Sequence, residues 1–476
     1  MSLTSGKAPR PVLVQDMFDE ILDYSYDPDA RIGSLIEMQA WSSVCRSFRS
    51  RYQKHAYSLI KIDKKDRERT TLLLDIFEEI PYVVRHVFEL QLELDEEGRA
   101  WFVEDQDFLS IMAYIYQPGY SFKRLTLSSY FGQSSLQDVS KIKEAFWKPY
   151  ISANVTSLSL SSIDDIPLSF FASCVNLRDL KLSRISTAST ISANPENCPS
   201  IQTLQCDFPN PAIASFLRGA SVHPPCVDFS LLRTLKTTLN DWEEMQEAQE
   251  LVNNISRRLE EIYISIAEEL RYHSLGVLFD LHALNSLRVF EIGLVFAAPR
   301  REEDIIFDLA TILRTLPTQN NLRRLEIVCF IGYDNSPSQE IEEDESLEKY
   351  LDVNWAALDK EILRIASTRV DTLQVSLKLV YRAMNPESLP TNDQGQDSEN
   401  ADGNVDENDA DDQQSDWDDD VSEGNEDPGY TEVQKEVVQR CESIFAAVED
   451  RLSLTTHHPR ITFTLSHNVA FAIGEC

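Results

Sequence analysis

A short arrangement of apolar residues recurs along much of the chain. It reads apolar, two residues, apolar, one residue, apolar, as in Leu177, Leu180 and Leu182. The copies start at Val87, Phe122, Val155, Leu177, Ile201, Leu232, Leu259, Leu287, Leu322 and Val370. Because the last two apolar positions alternate with another residue, each copy predicts a β-strand with one buried face.

Segments with helical periodicity lie between the copies, at Asp241–Arg258, Glu302–Leu316 and Trp355–Ala366. A strand followed by a helix, repeated along the chain, is the unit of the leucine-rich repeat, in which each unit buries its apolar face against its neighbours. The pattern predicts an α/β fold, a leucine-rich-repeat solenoid of strand–helix units with irregular spacing. The alternative is an ordinary α/β domain with a parallel sheet.

The residue between the last two apolar positions is polar or amphipathic in every copy, so we expect it to point away from the core. These residues are Gln91, Thr126, Ser159, Lys181, Gln205, Lys236, Tyr263, Glu291, Glu326 and Gln374. They predict a shared exposed strand face, and repeat proteins usually bind their partners on such a face. The target-binding residues predicted on it are Lys181, Gln205, Lys236, Tyr263 and Glu291.

Before the first copy, the apolar residues follow the spacing of helices. Met38, Trp41, Cys45, Phe48 and Tyr52 form one stripe of a helix, and a shorter apolar helix precedes it. Helices this short make a weak core by themselves. This small all-α module therefore either caps the solenoid or binds another protein.

The same module resembles a known family. Leu13–Leu22, followed by Val44–Arg49 with the reading Val-Cys-Arg-Ser-Phe-Arg, resembles the F-box. That motif typically reads Leu-Pro-x-Glu, then an apolar helix ending in Ile-Leu, and later Val-Cys-[Lys/Arg]-x-Trp. The stretch Arg69–Leu94 also resembles the helix-to-first-strand segment of fungal F-box proteins with leucine-rich repeats.

The resemblance implies that the helices dock onto the Skp-family adaptor of a cullin–RING ubiquitin ligase while the repeats hold a target protein. The residues that match the family's apolar contact positions are Leu13, Met17, Phe18, Ile21, Leu22, Val44, Cys45 and Phe48. The sequence departs from the motif at Val14, Asp16 and Phe48, where Pro, Glu and Trp are usual. The second interpretation is a plain interaction scaffold, in which the helices only cap the solenoid.

The net charge of the chain indicates which classes of partner it can bind. The chain carries 44 basic and 79 acidic residues, which gives a net charge of −35. This charge repels the phosphate backbone, so we expect no nucleic-acid partner.

Ala383–Gln434 holds 18 acidic residues and no Lys or Arg. Its core, Asn392–Gly429, has too few apolar residues to offset its chain entropy, and it predicts a disordered insertion before the final repeat. Asp416, Asp418 and Asp420 have the spacing of a calcium loop, but Val421 occupies the position that needs Gly.

Sequence motifs of catalysis are absent: no glycine-rich phosphate loop, His-Glu-x-x-His or Gly-x-Ser-x-Gly occurs. The eight cysteines form no Cys-x-x-Cys pair, which indicates small buried thiols in a reducing compartment. We therefore expect a non-enzymatic protein of the cytoplasm or nucleus, without cofactor, metal or membrane span. The expected organisation is an F-box-like module over 11–62, repeats over 63–382, the acidic insertion over 383–429 and a final helix–strand repeat over 430–476.

Overall fold

The computed structural model describes residues 39–40, 43, 46–64, 67–95, 99–117, 119–120, 122–129, 134–188, 198–207, 212–213, 216, 226–255, 257–266, 279–296, 304–332, 353–369, 371–384 and 432–472. The strands are β1 (Leu59–Ile62), β2 (Glu89–Leu94), β3 (Arg124–Ser129), β4 (Ser134–Ser135), β5 (Ser157–Pro167), β6 (Asp179–Ala188), β7 (Thr203–Asp207), β8 (Thr234–Leu239), β9 (Glu261–Ile266), β10 (Val289–Phe296), β11 (Arg324–Gly332), β12 (Leu373–Met384) and β13 (Ile461–Ala472). The α-helices are α1 (Arg46–Ala56), α2 (Arg67–Glu79), α3 (Gln106–Ile115), α4 (Val139–Ile142), α5 (Leu168–Ser173), α6 (Trp242–Ile255), α7 (Ile305–Thr315), α8 (Trp355–Ser367), α9 (Glu432–Arg451) and α10 (Ser453–Thr456). A π-helix, Lys143–Ile151, follows α4, and 3-10 turns lie at Pro81–His86 and Trp101–Val103.

The described strands form one sheet, and each of their pairings is parallel. Twelve of them lie in chain order from β1 to β13, and the short β4 lies beside β5. A doubly wound α/β sheet reverses its strand order at a switch point, whereas this order runs in one direction throughout. The α/β architecture, with a parallel sheet alternating with helices, is therefore a solenoid-like arrangement.

The two faces of the sheet have different environments. In β2, Leu90, Leu92 and Leu94 are buried, while the alternate residues Glu89 and Gln91 are partly exposed. Strands β3, β7 and β8 show the same alternation. A parallel sheet covered on both faces has near-continuous apolar strands, so this alternation means that helices cover one face only. We call the two surfaces the covered face and the open face.

The covered face carries the apolar positions predicted from the repeats. Hydrogen-bonded register aligns the middle apolar residue of the first nine copies from strand to strand. These residues are Leu90, Leu125, Leu158, Leu180, Leu204, Leu235, Ile262, Phe290 and Leu325, each at most 1% exposed. Because each member packs between its neighbours, they form one continuous core across the sheet.

The tenth copy was assigned to the wrong register. We expected Leu373 to align with Leu325, but Leu325 pairs with Val375. Ser376, rather than Gln374, therefore lies beside Glu326 on the open face. The apolar pattern of β12 continues through Leu377, so a shift of two residues keeps the same side chains buried and leaves no mark in the sequence.

The three helices predicted between copies are confirmed as α6, α7 and α8. Side-chain caps explain where several helices begin. The Asp304 carboxylate accepts a hydrogen bond from the Phe307 amide of α7 at 2.9 Å, and the Asn354 side chain accepts one from the Ala357 amide of α8 at 3.0 Å. Each cap satisfies a backbone donor that the first helical turn leaves unpaired.

The predicted final repeat is also present, as α9 and β13. Strand β13 pairs with β12 from Leu373 opposite Ile461 onward, so the acidic stretch interrupts the chain between neighbouring units. Asp359 of α8 joins these units, because its carboxylate accepts hydrogen bonds from the amides of Leu454 and Thr455 at 3.2 and 2.8 Å. Of the predicted acidic insertion over 383–429, Ala383 and Met384 belong to β12, and the remainder, 385–429, lies outside the described residues.

Cys174, Cys198, Cys206, Cys226 and Cys329 are free thiols, and of these Cys174, Cys206 and Cys329 are buried. Burial raises the pKa of Cys174 to about 12 and raises the pKa of the other two thiols as well. These three thiols are therefore protonated at neutral pH and act as small apolar side chains, as expected from their places in the repeat pattern.

Candidate functional site

The open face presents a row of side chains at equal height on successive strands. Register places Gln91 beside Thr126, and the row continues through Ser159, Lys181, Gln205, Lys236, Tyr263, Glu291 and Glu326. Every member is exposed or partly exposed, in agreement with the predicted exposed strand face. Adjacent strands lie about 4.8 Å apart, so neighbouring side chains in the row can bind one ligand together.

A depression of about 190 Å³ lies on the open face over strands β7 to β11. Four of the five predicted target-binding residues line it: Gln205, Lys236, Tyr263 and Glu291. The fifth, Lys181, lies on β6 beside Gln205 and outside the lining. The structure thus brings these five residues to one region of the open face.

Gly293 forms the floor of the depression. It lies two residues after Glu291 on the same face, between Ser265 and Val328 of the neighbouring strands. A Cβ atom at this position would stand 3.4 Å from Cε2 of Phe330, which shows that this ring leans over the glycine. Sequence reasoning did not single out either residue. The available signal was a glycine at an outward position of a strand, in a chain with only 14 glycines.

Tyr263 is held in place from two sides. Its hydroxyl donates a hydrogen bond to Oε2 of Glu261 at 3.3 Å, and that oxygen also accepts one from Oγ1 of Thr234 at 3.2 Å. Nζ of Lys236 lies 4.7 Å from the centroid of the ring, a cation–π contact. Burial, and then the charge of Glu261, raise the pKa of Tyr263, so the phenol stays neutral.

Glu291 differs from the other charged groups around it. Its side chain is partly buried, yet within the described part of the chain its carboxylate accepts no hydrogen bond and forms no ion pair. Glu326, its neighbour on β11, is by contrast bound to the guanidinium of Arg324. Burial, and then the charge of Glu326, raise the pKa of Glu291, while Arg324, Lys236 and Lys378 lower it. The site therefore contains a partly desolvated carboxylate that has no hydrogen-bond or ion-pair partner among the described residues.

The strands nearer β1 carry different side chains on the open face. Small hydroxyl side chains occupy it on β3 and β5, at Thr126, Ser128, Ser157, Ser159 and Ser161. On β1 and β2 the charges are paired, as in the ion pair between Nζ of Lys61 and Glu93 at 2.8 Å. The unpaired carboxylate and the glycine floor belong to the part over β7 to β11.

The predicted adaptor-binding residues fall mostly outside the described residues. Leu13, Met17, Phe18, Ile21, Leu22, Val44 and Cys45 lie outside them, and Phe48 is described only by its backbone, within α1. The end of α1 packs against the Pro81–His86 turn, where Nε2 of Gln53 donates a hydrogen bond to the Tyr82 hydroxyl at 3.2 Å. Burial there lowers the pKa of His55 to about 4, so its imidazole is neutral at physiological pH.

Compared with known proteins, the sequence matches no family model and no curated protein. Among the described residues, no cluster of three His, Cys, Asp or Glu side chains could hold a metal ion. None of the helices in that part of the chain combines the length and the apolar character that a membrane span requires.

Proposed function

We propose that this chain is the substrate-recognition subunit of a ubiquitin ligase of the Skp–cullin–F-box type, present in the cytoplasm or nucleus. In this proposal the strand–helix units are leucine-rich repeats, and a target protein binds their open face. The F-box-like helices bind the Skp-family adaptor, which links the chain to the cullin and its RING protein. The chain itself carries out no chemistry.

The open face of the sheet is the observation that carries the proposal. No helix of the described residues covers one face of the parallel sheet, and this face presents polar side chains around a depression. Uncovered polar strand faces of this kind are the usual binding surfaces of repeat proteins. The link to ubiquitin transfer rests on the resemblance of Leu13–Leu22 and Val44–Arg49 to the F-box.

Adaptor capture tests the proposal. We expect purified full-length protein to bind a purified Skp-family adaptor, and we expect the double variant Val44→Glu, Phe48→Glu to lose this binding. Two charges on an apolar contact surface are costly to desolvate. Lys54→Glu, an exposed change on α1, serves as the matched control and should bind normally. A double variant that keeps the wild-type melting temperature and still captures the adaptor would refute the docking surface.

One observation favours the second candidate, a scaffold without a role in ubiquitin transfer. The hydrogen bond from Gln53 to Tyr82 attaches α1 to the turn that precedes β2, next to the first strand of the sheet. A helix in this position can serve as the cap that the end of a repeat array needs. If the folded wild-type protein captured no Skp-family adaptor, the capping scaffold would replace the ligase subunit as the proposed function.

A further inference from the structure

We propose that the depression on the open face binds an arginine side chain of the target protein. The proposal rests on the proposed function to the extent that the open face binds a protein. It adds the chemistry of the side chain recognised and the residues that recognise it: Glu291, Tyr263, Phe330 and Gly293.

Glu291 supplies the charge. A partly buried carboxylate loses hydration and regains that free energy only if a hydrogen-bond donor or a cation replaces the water. Within the described residues Glu291 has no hydrogen-bond donor and no ion-pair partner, and Arg324, Lys236 and Lys378 act on it only as charges at longer range. A guanidinium can donate two parallel hydrogen bonds to one carboxylate, an interaction both stronger and more directional than that of a single ammonium.

Two aromatic rings border the depression, and that of Tyr263 presents a flat surface on which a guanidinium can stack. The hydroxyl of Tyr263 is tied to Glu261, and Lys236 from β8 covers one side of the ring. On the side away from β8, the strand of Tyr263 pairs with β10, and Tyr263 lies directly opposite Glu291. Phe330 reaches over Gly293 from β11. A planar cation stacks favourably on aromatic faces, which a tetrahedral ammonium does less well.

Gly293 supplies the space. Ordinary side chains at this outward position would occupy the depression, because even a Cβ atom would touch Phe330 and Ser265. With glycine there, a side chain from a partner can reach the carboxylate of Glu291 two residues away on the same strand. The position has no positive φ, so the local backbone does not require glycine. The missing side chain therefore leaves space on the open face without any demand from the backbone conformation.

Charge complementarity favours a basic partner at long range as well. The chain has a net charge of −35, so positively charged segments are attracted and negatively charged ones repelled. Lys181 and Lys236 are exposed and without ion-pair partners in the described residues, and they could instead attract an acidic peptide. An exposed ammonium is well hydrated and needs no partner, whereas the partly buried carboxylate of Glu291 does.

Fluorescence anisotropy on the full-length protein tests the proposal. The probes are three fluorescein-labelled nine-residue peptides of Gly and Ser whose central residue is arginine, citrulline or glutamate. Citrulline keeps the shape of arginine and removes its charge. At about 0.15 M salt, which screens distant charges beyond about 8 Å, we expect the arginine peptide to bind at least about tenfold more tightly than the other two.

Three variants then test whether the arginine peptide binds in the depression. Glu291→Gln should weaken binding of the arginine peptide about tenfold, because it removes the charge and keeps the shape. Gly293→Val should weaken it similarly by filling the depression, and β-branched residues suit a strand. Glu93→Gln, on the open face of β2, is the matched control and should bind as the wild type does. If Gly293→Val does not fold, the affinity of Glu291→Gln for the arginine peptide tests the proposal by itself.

Several results would overturn the inference. These are equal binding of the arginine and citrulline peptides, tighter binding of the glutamate peptide, and no loss of affinity in Glu291→Gln. Binding that disappears only when residues 392–429 are deleted would assign the attraction to the acidic stretch instead. Adaptor capture is measured on the same preparations. A protein that captures the adaptor but does not prefer arginine refutes this inference and leaves the proposed function intact.

Discussion

The two faces of the sheet are made from alternate residues of the same strands. The residue type is nearly constant from strand to strand on the covered face and varies on the open face. Phe290 and Glu291 are adjacent in β10, yet Phe290 is completely buried and Glu291 lies on the open face. Along the covered face nearly every strand presents Leu, Ile, Val or Phe at the position of Phe290. Along the open face the next position changes from Gln to Thr, Ser, Lys, Tyr and Glu.

The difference has a physical origin. Each residue of the covered face must fill space against helices and neighbouring units, so its size and polarity are constrained at every strand. Residues of the open face have water or a partner above them, and packing constrains them little. Recognition chemistry can therefore be confined to a few strands, as in the depression over β7 to β11, while the fold continues unchanged on both sides.

The sharpest test of this comparison uses the neighbouring pair in β10. Phe290→Ala should lower the free energy of unfolding by about 3–5 kcal/mol, because it leaves a cavity in the core. Glu291→Ala should change it by no more than about 0.5 kcal/mol. Urea denaturation followed by circular dichroism measures both values. Similar losses from the two variants would mean that the open face is packed against something and is not open.

Removing a polar group on the covered side should lower the free energy of unfolding more than removing one on the open face. Asp359→Ala removes a buried carboxylate and leaves the amides of Leu454 and Thr455 without their acceptor. We expect a loss of about 1–3 kcal/mol in the free energy of unfolding. Lys360→Ala, at the exposed adjacent position, is the control and should stay within about 0.5 kcal/mol of wild type. An Asp359→Ala variant as stable as this control would show that α8 and α10 do not depend on the contact.

A triple alanine variant on the open face should lose target binding while it keeps most of its stability. The variant Lys181→Ala, Lys236→Ala, Tyr263→Ala loses one cation–π contact and should cost about 1 kcal/mol of stability. Proteins that co-purify with the wild-type chain should be lost, as measured by quantitative mass spectrometry.

The matched control for this variant changes the hydroxyl-lined part of the same face: Thr126→Ala, Ser159→Ala, Ser161→Ala. It should keep both stability and co-purifying proteins. If the control lost the same proteins and the first variant retained them, recognition would belong to the strands near β3 and β5 instead.

The smallest change in the free energy of unfolding is expected from a deletion within the acidic stretch. Deleting 392–429 and closing the gap with a short linker should change the free energy of unfolding by less than about 1 kcal/mol, since loop closure costs only about 0.6 kcal/mol per doubling of length. Adaptor capture should also be unchanged. Thermal unfolding and amide hydrogen exchange provide the measurement. Protected amides within this stretch of the wild type would indicate a folded element and contradict the expected disorder.

The sequence by itself determined the ten strands that carry the repeat pattern, their sequential repetition and which of their side chains lie on each face, but not β1 or β4. Alternation of apolar and polar residues is a local property, because successive side chains of a strand point to opposite faces. For this reason the row from Gln91 to Glu326 could be named before its strands were placed together. The same reasoning could not detect the shift in β12, because a register change of two residues preserves the alternation.

Only the tertiary structure decided what the open face contains. The depression depends on Phe330 leaning over Gly293 from the next strand, and these two residues are far apart along the chain. Within the described residues Glu291 has neither a hydrogen-bond donor nor an ion-pair partner, and this depends on distances between strands, whereas Arg324 and Glu326 pair within β11. Periodicity tells which way a side chain points, but space and charge pairing arise from atoms that meet only after folding. The covered face was therefore predictable from one strand at a time, and the candidate binding site was not.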